Sequence, residues 1–165
     1  MHSLNSLREL LVDEIRDLHN AETQLLRALP KMAAAATNPG LRDCFVRHLT
    51  QTESQVERLE RVFKILGESS SGKTCHAMKG LIEEGEQGIK TKGPEAVRDA
   101  NLIGAAQRVE HYEMAAYGTA RAFAEQLGED EVAGLLQKTL DEENDANNRL
   151  TAIATVVNAD AQVAV

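Results

Sequence analysis

Leu102-Ile103-Gly104-Ala105-Ala106-Gln107-Arg108-Val109-Glu110-His111-Tyr112-Glu113-Met114-Ala115-Ala116-Tyr117 is the stretch on which the fold turns. Leu102, Ala106 and Val109 recur at steps of three and four, the spacing of one buried helix face. The same line runs on to Glu113, with Glu110 one turn before it on nearly the same face. This stretch therefore describes a core helix that carries carboxylates inward. Its pattern extends from about Glu95 to Leu127, with Val97, Ile103 and Phe123 also inward, and Gly128 closes it.

Three more segments share that period. Leu7, Leu11, Leu18, Leu25, Leu29 and Met32 mark a first helix between Leu4 and Ala36, in which Pro30 removes one donor and is expected to kink the last turn. Asn38 as cap and Pro39 as first residue open a second helix on Leu41, Phe45, Leu49, Val56, Leu59, Phe63 and Leu66, closed by Gly67. A fourth runs from about Glu129 to Asn158 on Val132, Leu136, Leu140, Leu150 and Ile153. Between the second and third, Ser-rich residues 68–73 lead to a short helix from Ala77 to about Gly88, and Gly93-Pro94 restarts the chain. Met78, Leu81 and Ile82 give that short helix an apolar face, expected to cap the bundle in preference to meeting a second subunit. Two short turns and one long crossover describe an all-α four-helix bundle, as one domain over residues 1–165. Sliding the chain on itself by 91 residues sets Leu18 on Val109, Glu22 on Glu113, Leu49 on Leu140 and Arg58-Leu59 on Arg149-Leu150, a faint internal repeat.

Composition removes several function classes. The chain has 26 acidic against 18 basic side chains, a formal charge of -8, and no basic cluster able to neutralise a row of phosphates, so nucleic acid and anionic membranes are excluded as partners. No run of about 18 apolar residues occurs, and charges at Arg8 and Glu9 break the apolar stretch that a signal peptide needs. A cytoplasmic protein is expected. Cys44 and Cys75 lack the Cys-x-x-Cys spacing of structural zinc or redox chemistry, and read as reduced thiols.

The carboxylates carry the chemistry. Glu22 interrupts the stripe of the first helix, Glu110 and Glu113 that of the third, and Glu143 that of the fourth, between Leu140 and Leu150. Burying one unpaired carboxylate costs several kcal/mol, so three helices bearing one at matched depth point to a shared cation. Glutamate oxygens suit iron, manganese or magnesium. The Glu-x-x-His motif of dimetal bundles is absent, but His19-x-x-Glu22 has the same spacing in reverse order and makes His19 a candidate ligand. Tyr117, one turn past Glu113, is placed to hydrogen-bond a carboxylate, His111 to orient a neighbour. His48, Cys75 and His76 read as structural.

Asn20-Ala21-Glu22-Thr23-Gln24-Leu25-Leu26-Arg27-Ala28-Leu29-Pro30-Lys31-Met32, Gln55-Val56-Glu57-Arg58-Leu59, Gly80-Leu81-Ile82-Glu83-Glu84, Val109-Glu110-His111-Tyr112-Glu113 and Thr139-Leu140-Asp141-Glu142-Glu143 together resemble the stress-associated bacterial YciF/YciE family. The resemblance spans nearly the whole chain. It implies a ferritin-like bundle, usually a homodimer, with a dinuclear iron site among the four helices and no settled reaction. Two departures bear on that site: Gln51 stands where relatives often carry Glu, and Asn147 where they often carry Asp. Gln51 or Gln55 would then coordinate weakly through a carbonyl, with Glu142 or His19 available to complete the shell. One tight metal and a labile second are expected. Two functions compete on this reading: an oxidoreductase-type protein whose iron meets O2 or peroxide, and a non-enzymatic dimeric stress protein with one structural ion. Storage in a hollow shell is disfavoured, because nothing in the sequence specifies high symmetry.

Overall fold

The computed structural model describes residues 4–163. Among them every regular element is a helix: α1 Leu7–Ala35, α2 Pro39–Leu66, α3 His76–Lys90, α4 Glu95–Gln126 and α5 Asp130–Val163. The helices start and stop where the sequence chemistry directs. Ser6 Oγ accepts the Glu9 N–H at 3.1 Å, and Asn38 Oδ1 accepts that of Leu41 at 3.1 Å, so each satisfies a donor that has no partner within its helix. Gly67 and Gly128 follow α2 and α4 with φ of 69° and 73°, a conformation in which a Cβ would be strained.

α1 runs to Ala35 as the apolar period predicts, with Pro30 inside it on its exposed side. Two local expectations need correction. α5 runs past Asn158 to Val163, and Val157, 1% exposed, is the last buried residue of its stripe among the described residues. Val97 faces outward and Asp99 faces inward in its place. The Asp99 carboxylate accepts the backbone N–H groups of Thr37 and Asn38 at 3.0 and 2.7 Å and the Thr37 hydroxyl at 2.6 Å, which ties the α1–α2 turn to the start of α4.

α1 packs against α2 and α4, and α5 packs against α4 and α2, forming the four-helix bundle. Two apolar clusters fill it. One joins Leu25 to Ala36 of the α1 end with Leu41, Phe45, Leu102, Val109 and Leu150. The other joins Leu11, Ile15 and Leu18 with Leu59, Val62, Phe63, Ala116, Ala120 and Leu136. Chain order through these clusters makes neighbouring helices antiparallel and the diagonal pairs, α1 with α5 and α2 with α4, parallel. Parallel diagonal helices require a long return, and the segment carrying α3 supplies it. The residues between the two clusters on every long helix are polar, and they form the site described below.

α3 lies along α1 and α4 rather than capping the bundle end. Met78 is fully buried, and Leu81 and Ile82 pack half-buried against the first cluster. Cys75 caps this helix: its Sγ accepts the Met78 N–H at 3.3 Å and lies 3.0 Å from the Tyr112 hydroxyl. Tyr112 in turn donates to Asp17. No helix among the described residues is long and apolar enough to cross a membrane.

Candidate metal centre

Each long helix sends polar side chains into the layer between the two apolar clusters. α1 gives Glu22; α2 gives His48, Thr52 and Gln55 at steps of four and three; α4 gives Glu110, Glu113 and Tyr117; α5 gives Thr139 and Glu143. All nine are buried, with Glu22, Glu113, Glu143, Thr52, Gln55 and Tyr117 fully excluded from solvent. One ligand atom from each of His48, Glu110, Glu113 and Glu143 lies within 4.8 Å of every other. Ligands on opposite sides of a single oxygen-coordinated ion, each bonded at about 2.0–2.6 Å, stand about 4–5 Å apart. The four side chains thus have the spacing of one coordination sphere. They could hold a metal ion as they stand.

Their hydrogen bonding is incomplete in a way that a cation would finish. Tyr117 donates to Glu22 Oε1 at 2.6 Å, and Gln55 Nε2 donates to Glu143 Oε1. The remaining atoms, Glu22 Oε2, Glu110 Oε2, both oxygens of Glu113, Glu143 Oε2 and both ring nitrogens of His48, are buried without a hydrogen-bond partner. His48 Nε2 stands 3.5 Å from Glu110 and 3.7 Å from Glu143, beyond normal hydrogen-bond distance. Leaving a buried polar atom unpaired costs about 1–3 kcal/mol, and more for a charged one, so this concentration demands compensation. Three carboxylates and one imidazole form a donor set suited to Fe(II) or Mn(II).

Without a cation the site must hold protons. Burial raises the Glu22, Glu110 and Glu113 carboxyl pKa values well above the ordinary 4.5, and the neighbouring Glu143 charge raises all three further. The Glu22 and Glu113 carboxyls lie within hydrogen-bonding reach of one another, as do those of Glu110 and Glu143. Two ionised carboxylates offer no donor, so these contacts become bonds only when one partner is protonated.

The other residues singled out by the sequence lie outside this four-residue group. Glu142 forms a two-pronged pair with Arg58 at 2.9 and 3.0 Å, which already neutralises it, and takes a third bond from Gln55 at 3.1 Å. His19 stands edge-on to Phe63 with ring centroids 5.8 Å apart, and burial lowers its pKa. Gln51 is half-buried, and Asn147 accepts from Gln107 at 3.3 Å one turn beyond Glu143. His111 is exposed, its Nδ1 2.7 Å from the Gln107 carbonyl of its own helix, so it orients no residue of the site.

His48, expected to be structural, is the residue that sequence reasoning missed. A signal was available. Leu41, Phe45, His48, Thr52, Gln55, Leu59, Val62 and Leu66 advance by alternating steps of four and three, and all are buried. Following only apolar residues sends the stripe through Leu49 and Val56 instead. The offset of 91 residues also acquires meaning: it pairs Glu22 with Glu113, but pairs Glu143 with Thr52 and Glu110 with His19. The half of the layer nearer Glu110 and Glu143 is rich in ligands. Its counterpart near Glu22 and Thr52 is poor.

A family model described as a domain of unknown function, DUF892, matches residues 6–162. Protein YciF of Escherichia coli strain K12 is 42% identical over 157 residues, covering 92% of both chains. The crystal structure of the E. coli stress protein YciF superposes with a TM-score of 0.92 at 40% identity, covering 94% of this chain and 99% of that one. YcfI from Rhodopseudomonas palustris superposes with a TM-score of 0.88 at 42% identity, covering 91% of this chain and 96% of that one.

Proposed function

This chain belongs to the DUF892 family, and from that premise we propose that it is a stress-response protein built around a buried carboxylate metal centre, with iron as the metal and manganese as its closest substitute. The observation that carries the reading is the convergence of His48, Glu110, Glu113 and Glu143 with unpartnered buried atoms. His48, Glu110 and Glu143 would each bind the tighter ion through one atom. Glu113, with both oxygens unpaired, would lean toward a second, weaker position beside Glu22. Thr52, neutral and fully buried where the repeat would place a carboxylate, leaves that second position short of charge.

Bound iron would supply electron exchange with O2 or peroxide, and so removal of oxidant or sequestration of ferrous ion. The chain contributes the surroundings. Tyr117 holds Glu22 by its hydroxyl, Gln55 holds Glu143, and Arg58 takes up Glu142 so that its charge does not compete for the cation. Leu18 and Val109, buried, and Leu140, partly buried, would form the apolar sleeve that limits water at the layer. A homodimer in a reducing cytoplasm fits the family resemblance and the two free, buried cysteines.

A structural ion without turnover is the competing function. It is favoured by one observation: Tyr117, Gln55 and shared carboxyl protons already satisfy part of the layer without metal. Calorimetric titration of the metal-free chain with Fe(II) under anaerobic conditions, then exposure to O2 or peroxide, tests the proposal. Tight binding of about one ion per chain followed by oxidation supports a redox role. Tight binding with no oxidation leaves the structural ion, and no binding overturns both.

A further inference from the structure

A cavity of about 40 Å3 lies beneath α3, between α1 and α4. Its walls are apolar: Leu29 and Met32 from α1, Phe45 from α2, Leu81 and Ile82 from α3, and Val109 from α4. At one extreme it reaches His48 and Glu110, two of the four residues of the metal centre, and at the other it reaches Lys31 and Glu86, an exposed ion pair at 2.7 Å. On this measure a water needs about 10–15 Å3 and two to four polar partners, so the space admits roughly three water-sized particles while the walls offer water almost nothing. The small side chains that leave this room are Ala28, Gly85, Ala105 and Ala106.

We infer that this cavity is a binding and access site for a small, uncharged, apolar molecule of the size of dioxygen, which reaches the metal centre from its His48–Glu110 side. Size excludes a lipid chain or a peptide, and the apolar walls exclude charged species and disfavour water and hydrogen peroxide. α3 is the outer wall. It is tied at Cys75 to α1, where Asn20 accepts its N–H at 2.8 Å and Gln24 donates to its carbonyl at 3.0 Å. Gly85 comes so near α1 that a Cβ there would lie 3.7 Å from Met32 Sδ, an ordinary contact. The crossover segment thereby has a part in function as well as in topology. Use of the cavity as a route rests on the metal reading, whereas its occupancy by an apolar molecule does not.

Xenon, apolar and monatomic, is the probe. A crystal of the metal-free chain under xenon pressure should show an atom among Met32, Leu81 and Val109. Ala105→Leu, which adds three carbons to the wall, should abolish that site. The milder Gly85→Ala should weaken it, and serves if the larger replacement impairs folding. In the iron-loaded chain, filling the cavity should slow oxidation by O2 about tenfold while leaving oxidation by hydrogen peroxide and the iron count unchanged. An empty cavity under xenon overturns the inference. So does a filled cavity with undiminished oxidation by O2. Failure of the metal reading would show separately, as loss of iron binding with xenon still in place.

Discussion

Glu113 is surrounded by three other carboxyl groups and has no hydrogen-bond partner of its own for either oxygen. In the metal-free chain its raised pKa means that the folded state takes up protons which the unfolded state has released. Stability is therefore full below the ordinary carboxylate value of 4.5 and falls as pH rises through the higher folded values of Glu22, Glu110 and Glu113. Denaturant unfolding of the metal-free chain should show lower stability at pH 8 than at pH 5, and saturating Mn(II) should cancel the difference. Glu113→Gln replaces a carboxyl that must take up a proton to be buried with an amide that needs none. At pH 7 it should stabilise the metal-free chain by about 1–3 kcal/mol and weaken Mn(II) binding by at least about tenfold, the costs of burying and of deleting a charged ligand. If it destabilises the metal-free chain instead, the layer is held by charge pairing and not by protons or metal. Glu22, Glu110, Glu113 and Glu143 were legible in the sequence because each breaks an apolar line. His48 was not, since a half-polar imidazole breaks such a line less visibly than a charge.

At the scale of elements, helix type and order follow from the spacing of apolar residues, and Asn38, Pro39, Gly67 and Gly128 fix the ends. The course of α3 does not follow from its own sequence. Its apolar face, Met78, Leu81 and Ile82, specifies burial but not against which helices, and the hydrogen bonds of Cys75 to Asn20 and Gln24 decide that from 51 and 55 residues away. Asp99 is a similar case. An acidic residue one turn into α4 reads as a solvated surface charge, yet it is 1% exposed and secures the α1–α2 turn with three bonds. Asp99→Ala would strand two backbone donors and one hydroxyl, so chemical denaturation should register a loss of about 2–4 kcal/mol. A loss under about 0.5 kcal/mol would mean that water replaces the carboxylate there.

At the scale of the whole molecule, the chain is two apolar clusters separated by a polar layer to which all four long helices contribute. An apolar layer would be the more stable choice, since buried charges seldom repay their desolvation. Keeping a layer of carboxylates in the core is intelligible if a cation occupies it. The faint repeat explains why the layer is uneven, rich around Glu110 and Glu143 and poor around Glu22 and Thr52. The proposed homodimer rests on the family resemblance alone: sedimentation at micromolar concentration should give about twice the chain mass of 18.0 kDa, and a clean monomer would remove the homodimer from the proposal.

The most direct test of the shared cation is an anomalous-difference map from a crystal soaked in Mn(II). One strong peak is expected about 2.0–2.6 Å from His48, Glu110, Glu113 and Glu143, with a weaker one, if any, beside Glu22. A layer with no peak, its carboxyl groups hydrogen-bonded to one another, or a peak only at surface carboxylates, would contradict it.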